Sequence, residues 1–224
     1  MKLTKENLKK IFLEKEITQK YTIKLMESNI DFYLNKEHLS IQFDFRLQFD
    51  SLLTLQTFTI SIKEFEEKFK PLVINELHHY YDDYILVNPR KVYKTEYSFS
   101  KDIQSKEELD EFLSNFYLCL NFYETEIFPK LTDIHFLADY VGSVPFEQRS
   151  EIVVGGSFPL QLFKKIAILK WGNHLRYEEY KDETQKLIEL YTIKKPEKTE
   201  EVKLFQKGFE KLIYHLENEP NPFL

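Results

Sequence analysis

The sequence predicts an α+β fold, with an N-terminal antiparallel meander sheet of about four strands packed by helices, followed by an all-helical C-terminal half. Three observations carry that prediction. From Leu39 to Phe49 every odd position is apolar and every even one polar, the period of a strand buried on one face. Beyond Lys130 apolar residues recur at helical spacing in one segment after another. Only 5 of 224 residues are glycine, and none falls inside an alternating run. Residues 1–130 form the sheet-and-helix region and 131–224 the helical region, and the two are expected to pack as one compact unit.

The elements follow in order. Leu8, Ile11 and Phe12 behind Thr4 describe a short capped amphipathic helix over Thr4 to Lys15. Ile30, Phe32 and Leu34 alternate as a first strand, and Leu39 to Phe49 is the second. Leu53, Leu55, Phe58, Ile60 and Ile62 form a third, with a phase slip near Gln56 and Thr57 of the kind a β-bulge produces. Phe65, Phe69, Val73, Leu77 and Tyr84 share a helical face interrupted by Pro71. Tyr93, Thr95, Tyr97 and Phe99 alternate as a fourth strand. Ser105-Lys-Glu-Glu108 is a capping box that opens a long helix ending before Pro129. Helices then run from Asp133 to Tyr140, Pro159 to Trp171, His174 to Tyr191 and Glu197 to Glu217. Gly208 in the last of these leaves room for close helix packing.

Composition narrows the function classes. Hydrophobic residues make up 42%, with 20 Phe and 14 Tyr, enough to order the chain. A net charge of −6, with lysines interleaved among acids, argues against binding to phosphate backbones, so no nucleic-acid partner is expected. No apolar run reaches the length of a membrane span, the nearest being broken by Lys164, Lys165 and Lys170. The N-terminus has no secretory pattern, and the single Cys119 has no intrachain partner, so the expected compartment is the cytoplasm.

Few residues suggest chemistry, and each has an ordinary structural reading beside it. Gly155, Gly156 and Ser157 precede a helix and are candidate anion-site amides, although a Ser and a Pro here are equally the usual way to start a helix. His78 with Asp82, and His79 with Asp83, are candidate metal-ligand pairs at i, i+4, but no third ligand completes a motif. Cys119 falls on the apolar stripe of its helix and is expected to be buried and inert. His174 and Glu178 form a possible dyad without a nucleophile motif. Tyr80, Tyr81, Tyr84, Tyr177 and Tyr180 suit an interface that is apolar at one end and wet at the other. No catalytic set and no cofactor is expected.

The stretch Phe43 to Phe69, with its meander running into Phe58-Thr-Ile-Ser-Ile-Lys-Glu-Phe65, and the helix junction Ile127-Phe-Pro-Lys-Leu-Thr-Asp-Ile134 resemble small bacterial cytosolic proteins, some grouped with polymorphic-toxin immunity proteins. The resemblance covers about the middle half of the chain and assigns no functional residue. It implies an intracellular protein-binding module, of the immunity type, that occupies and neutralises a partner protein. The alternative is a small-ligand or metal-binding enzyme with a site near His78/Asp82 and Gly155–Ser157.

Overall fold

A computed structural model describes residues 2–87 and 98–224. The chain forms two compact units, one of Met1–Ser61 and Leu86–Pro129, the other of Ile62–Ile85 and Lys130–Leu224. The α+β class is seen directly, with an antiparallel sheet in the N-terminal half and helices in the C-terminal half. The segment Ile62–Ile85, expected with the sheet region, belongs to the helical unit. Its apolar side chains pack there: the Phe65 ring lies 5.7 Å from that of Trp171.

In the first unit, Thr4 caps α1 (Lys5–Leu13) by accepting from the Asn7 amide at 3.2 Å, and a short α2 (Glu16–Gln19) follows. Among the described residues the sheet has seven strands: β1 (Thr22–Leu25), β2 (Asn29–Asn35), β3 (Leu39–Gln48), β4 (Leu52–Leu55), β5 (Phe58–Ile62), β6 (Ile85–Val87) and β7 (Ser100–Asp102). The order is β1-β2-β3-β4-β7, with β5 beside β3 and β6 beside β5. The register sets Phe32 opposite Phe43 and Ile30 opposite Phe45, so their rings share the inner face. Phe32 stacks on Phe43 at 4.6 Å. Phe12 of α1 and Phe116 of α4 (Lys106–Phe122) close over Phe45 at 5.0 and 4.7 Å. The Ser105 capping box that opens α4 is fully formed, with Glu108 N–H donating to Ser105 Oγ at 3.2 Å.

Three sequence expectations change here. The slip at Gln56-Thr57 is a break between two strands that both pair with β3 but have different second neighbours, β7 for β4 and β6 for β5, and not a bulge within one strand. Phe49 leaves the alternating run, sitting at the hairpin turn with φ 52° and 88% exposed. The expected fourth strand at Tyr93, Thr95 and Tyr97 lies outside the described residues, while Phe99 is buried just before β7. The extra strands β1, β6 and β7 have three or four residues each, too few to show a period.

In the second unit, α3 (Lys63–Phe69) tightens into 3₁₀ turns at Lys70–Leu72 and Asn75–Tyr80, so the helix expected to reach Tyr84 is three short pieces. Helices α5 (Ile134–Val141), α6 (Leu160–Trp171), α7 (Tyr177–Lys194) and α8 (Thr199–Asn218) follow. Helix α6 is apolar on nearly every side and buries ten of its twelve residues. Helix α8 docks its stripe of Val202, Phe205, Phe209, Leu212 and Leu216 within its own unit. Gly208 permits the approach: a Cβ there would stand 2.6 Å from Leu77 Cδ1.

Candidate functional site

The unusual chemistry of the helical unit begins with two adjacent lysines on its most buried helix. Lys164 has no exposed surface and Lys165 only 2%. Because α6 is enclosed on all sides, neither ammonium can reach water along its stem, and each must find oxygen inside. Lys164 Nζ lies 2.6 Å from Glu66 Oε1 on α3 and donates to the Asp82 carbonyl at 2.7 Å. Tyr81 closes the group, its hydroxyl donating to Glu66 Oε2 and its ring centre lying 5.1 Å from Lys164 Nζ. Burial pushes the Glu66 carboxyl up, against the pull of Lys164, and the same burial pushes Lys164 down. Lys165 Nζ donates to the Arg149 carbonyl at 2.5 Å, and burial, with the Arg149 charge, pushes it down to about 8. A lysine with depressed basicity is a potential nucleophile or base, but Lys164 presents no surface to a substrate. The constellation ties Ile62–Ile85 to α6.

The sequence-predicted sites fall around this cluster. The residues 80–84 and the Gly155–Ser157 turn are brought together, but by backbone: Gly155 N–H donates to Tyr84 O at 2.6 Å and Ser157 N–H to Tyr80 O at 2.9 Å, while Ile85 bridges Val154. The Gly155 and Ser157 amides that would have faced an anion are spent on carbonyls. Gly156 adopts φ +102°, and a Cβ on it would meet Tyr80 O at 2.6 Å, which is why glycine stands here. The helical register that would stack His78 on Asp82 and His79 on Asp83 ends at Tyr80. His78 Nε2 instead lies 3.2 Å from Val73 O, and the His79 ring lies against Tyr80. Among the described residues no group of three or more His, Cys, Asp or Glu is arranged to hold a metal.

His174 sits in the loop before α7, its Nδ1 accepting from Arg176 N–H at 3.1 Å, while Glu178 pairs with Lys181 at 2.6 Å, so the two do not form the dyad that their spacing allowed. Cys119 is fully buried and its thiol is pushed up to about 12 by desolvation. Four of the five tyrosines are hydrogen-bonded within the unit, Tyr80 to Glu201 and Tyr81 to Glu66 from half-buried positions, and the buried Tyr177 to Glu217 and Tyr180 to Val144 O.

One of several open grooves, of about 330 Å³, lies between α7 and α8. Ile188 and Phe209 form its buried floor and Ile213 its apolar edge. Its rim is Gln185, Glu189, Gln206 and Glu210, with Gln185 Nε2 donating to Glu189 Oε1 at 3.0 Å. Two carboxylates and no cation line it. At helical spacing the rim continues from Glu189 to Ile193, 77% exposed, and from Glu210 to Tyr214, 67% exposed.

The sequence did not single out Lys164 and Lys165 as a site, although apolar residues on both sides of the pair were the available signal. The groove needed the packing of two helices before Ile188 and Ile213 became neighbours. Comparison with family models, with curated proteins and with solved structures finds no match. No helix among the described residues is long and apolar enough to cross a membrane.

Proposed function

We propose that the chain is a protein-binding module of the immunity type, which occupies and neutralises a partner protein through the α7–α8 groove. The single observation that supports this reading is the groove itself: an apolar floor under a rim of Glu189 and Glu210 with no cation among its lining. Such a surface complements an amphipathic segment carrying an apolar anchor beside lysine or arginine. The net charge of −6 favours the same basic class of partner and disfavours nucleic acid. The reading implies a cytoplasmic setting, and it assigns the tethered tyrosines and the sealed lysine cluster to stability. The test is co-expression with the product of the adjacent reading frame: a stoichiometric complex that relieves that product's toxicity is expected. A chain that stays alone and turns over a substrate would contradict the proposal.

A further inference from the structure

Helices α7 and α8 run side by side in opposite directions. Near their connection the Tyr191 and Phe205 rings lie 6.3 Å apart, and towards the other end Lys181 Nζ reaches Glu217 Oε1 at 3.0 Å. Such a pair leaves a groove parallel to both axes on each side of its seam. The open groove is one of these, with Ile188 and Phe209 as its floor, Ile213 at its edge, and the exposed Ile193 and Tyr214 towards its two ends. Between the levels of those two side chains lie roughly ten residues of α7, or about 15 Å at 1.5 Å per residue.

Three kinds of occupant compete for this space: an extended segment, a second copy of the chain, and a helix of another protein. The walls count against the first. Every lining residue lies inside a continuous α-helix, so its backbone N–H and C=O are already bonded along that helix. An extended chain laid over Ile188, Phe209 and Ile213 would strand its own backbone groups on an apolar floor, whereas a helix brings its hydrogen bonds with it. Charge counts against the second. A two-fold pairing through this face would set the acidic rims of two molecules, Glu189 and Glu210 on each, against one another. The nearby lysines give no relief, because Lys186 pairs with Glu183 and Lys203 with Glu200, each at 2.7 Å on its own helix. Asp182, exposed one turn before Gln185, adds to the acidic rim.

On the reading that this groove receives the partner, on which the inference rests, we propose that the occupant is an amphipathic α-helix of the partner protein, lying along α7 and α8 as a third helix. The span of the groove matches about three turns of it. Its apolar side chains, at i, i+4 and i+7, meet Ile188, Phe209 and Ile213. Glu189 and Glu210 stand on opposite walls, one on each helix. The docking helix therefore carries lysine or arginine on both flanks of its apolar stripe, one flank for each wall. Ile193 and Tyr214 lengthen the apolar contact at its ends.

The experiment is an NMR titration of the full nitrogen-15-labelled chain with synthetic end-capped peptides of about 14 residues, long enough for three turns and their ends. The first carries leucine at i, i+4 and i+7 with lysine on both flanks. The others are the same peptide with a central proline, with its sequence scrambled so that no face is apolar, and with glutamate for lysine. The first is expected to move the amide signals of Gln185, Ile188, Glu189, Gln206, Phe209 and Ile213, and to show the transferred amide–amide contacts of a helix. The other three are expected to bind at least about 10-fold more weakly. Glu189→Lys with Glu210→Lys, in a variant that melts like the wild type, is expected to weaken the lysine peptide by a similar factor and to strengthen the glutamate peptide. Equal binding of the proline or scrambled peptide, or extended-chain contacts in the bound lysine peptide, would overturn the helical occupant and leave the groove standing as the binding face. No binding of the lysine peptide up to about 1 mM would also overturn it. Shifts confined to other surfaces would contradict the groove reading itself. Groove signals that broaden with protein concentration in the absence of peptide would mark a second copy as the occupant instead.

Discussion

Lys164 and Glu66 are a buried ion pair, and the free energy of such a pair is a small difference between desolvation and attraction. Removing one partner strands the other in a low-dielectric interior. Glu66→Leu or Lys164→Met alone is expected to lose about 3–5 kcal/mol in urea unfolding, and the double variant to recover most of it. A loss in the double variant equal to the sum of the two single losses would show the pair uncoupled. Lys165 makes a pH prediction of its own. Its folded value of about 8 lies below the ordinary 10.5, so between those pH values the unfolded chain holds a proton the folded chain has released. Stability therefore rises with pH across that window, and the cost of burying the charge is fully present below pH 8. Lys165→Met is expected to gain about 2 kcal/mol at pH 7, with the advantage over wild type shrinking towards pH 10.5. At this scale the sequence was only partly legible. Cys119 sits on its apolar stripe as expected, but lysine ordinarily stays outside, and nothing local to residues 164 and 165 reveals that α6 is covered on every side.

Elements whose cause is local were readable, and those decided by distant packing were not. The Thr4 cap and the Ser105 capping box involve residues three apart in sequence, and both form, the second with its anticipated Glu108. The alternation in β3 carried the sheet because one face of a ten-residue strand is enough to fix its register. The run from Phe65 to Tyr84 reads as a helix interrupted at Pro71 and is α-helical as far as Phe69; beyond it, apolar spacing near four residues is shared by α-helix and by the short 3₁₀ turns that form instead. Those turns pack under α8 at Gly208, where Leu77 Cδ1 and Phe163 Cε2 stand 2.6 and 3.4 Å from the position of a Cβ. Gly208→Leu is accordingly expected to destabilise by about 1–3 kcal/mol through overpacking, despite leucine's better helix propensity. A thermal melt unchanged or raised would show that α8 does not depend on this close approach.

For the molecule as a whole, the boundary between units is set by three-dimensional contacts and crosses the chain three times, so contiguous regions 1–130 and 131–224 could only approximate it. The groove is likewise a property of two helices together. The stripe on α8 was visible, yet the pairing of Ile213 with Ile188 under Glu189 and Glu210 required α7 to lie alongside. Binding through that groove is the central claim, and charge reversal tests it most directly. The affinity of the partner found by co-expression is compared by titration calorimetry for the wild type, for Glu189→Lys with Glu210→Lys, and for a control reversal at Glu200, which is exposed and paired with Lys203 outside the groove. The account predicts that the groove double variant weakens binding by about 30-fold or more while the control stays within about 2-fold. Equal affinity across all three, in variants that melt like the wild type, would contradict it.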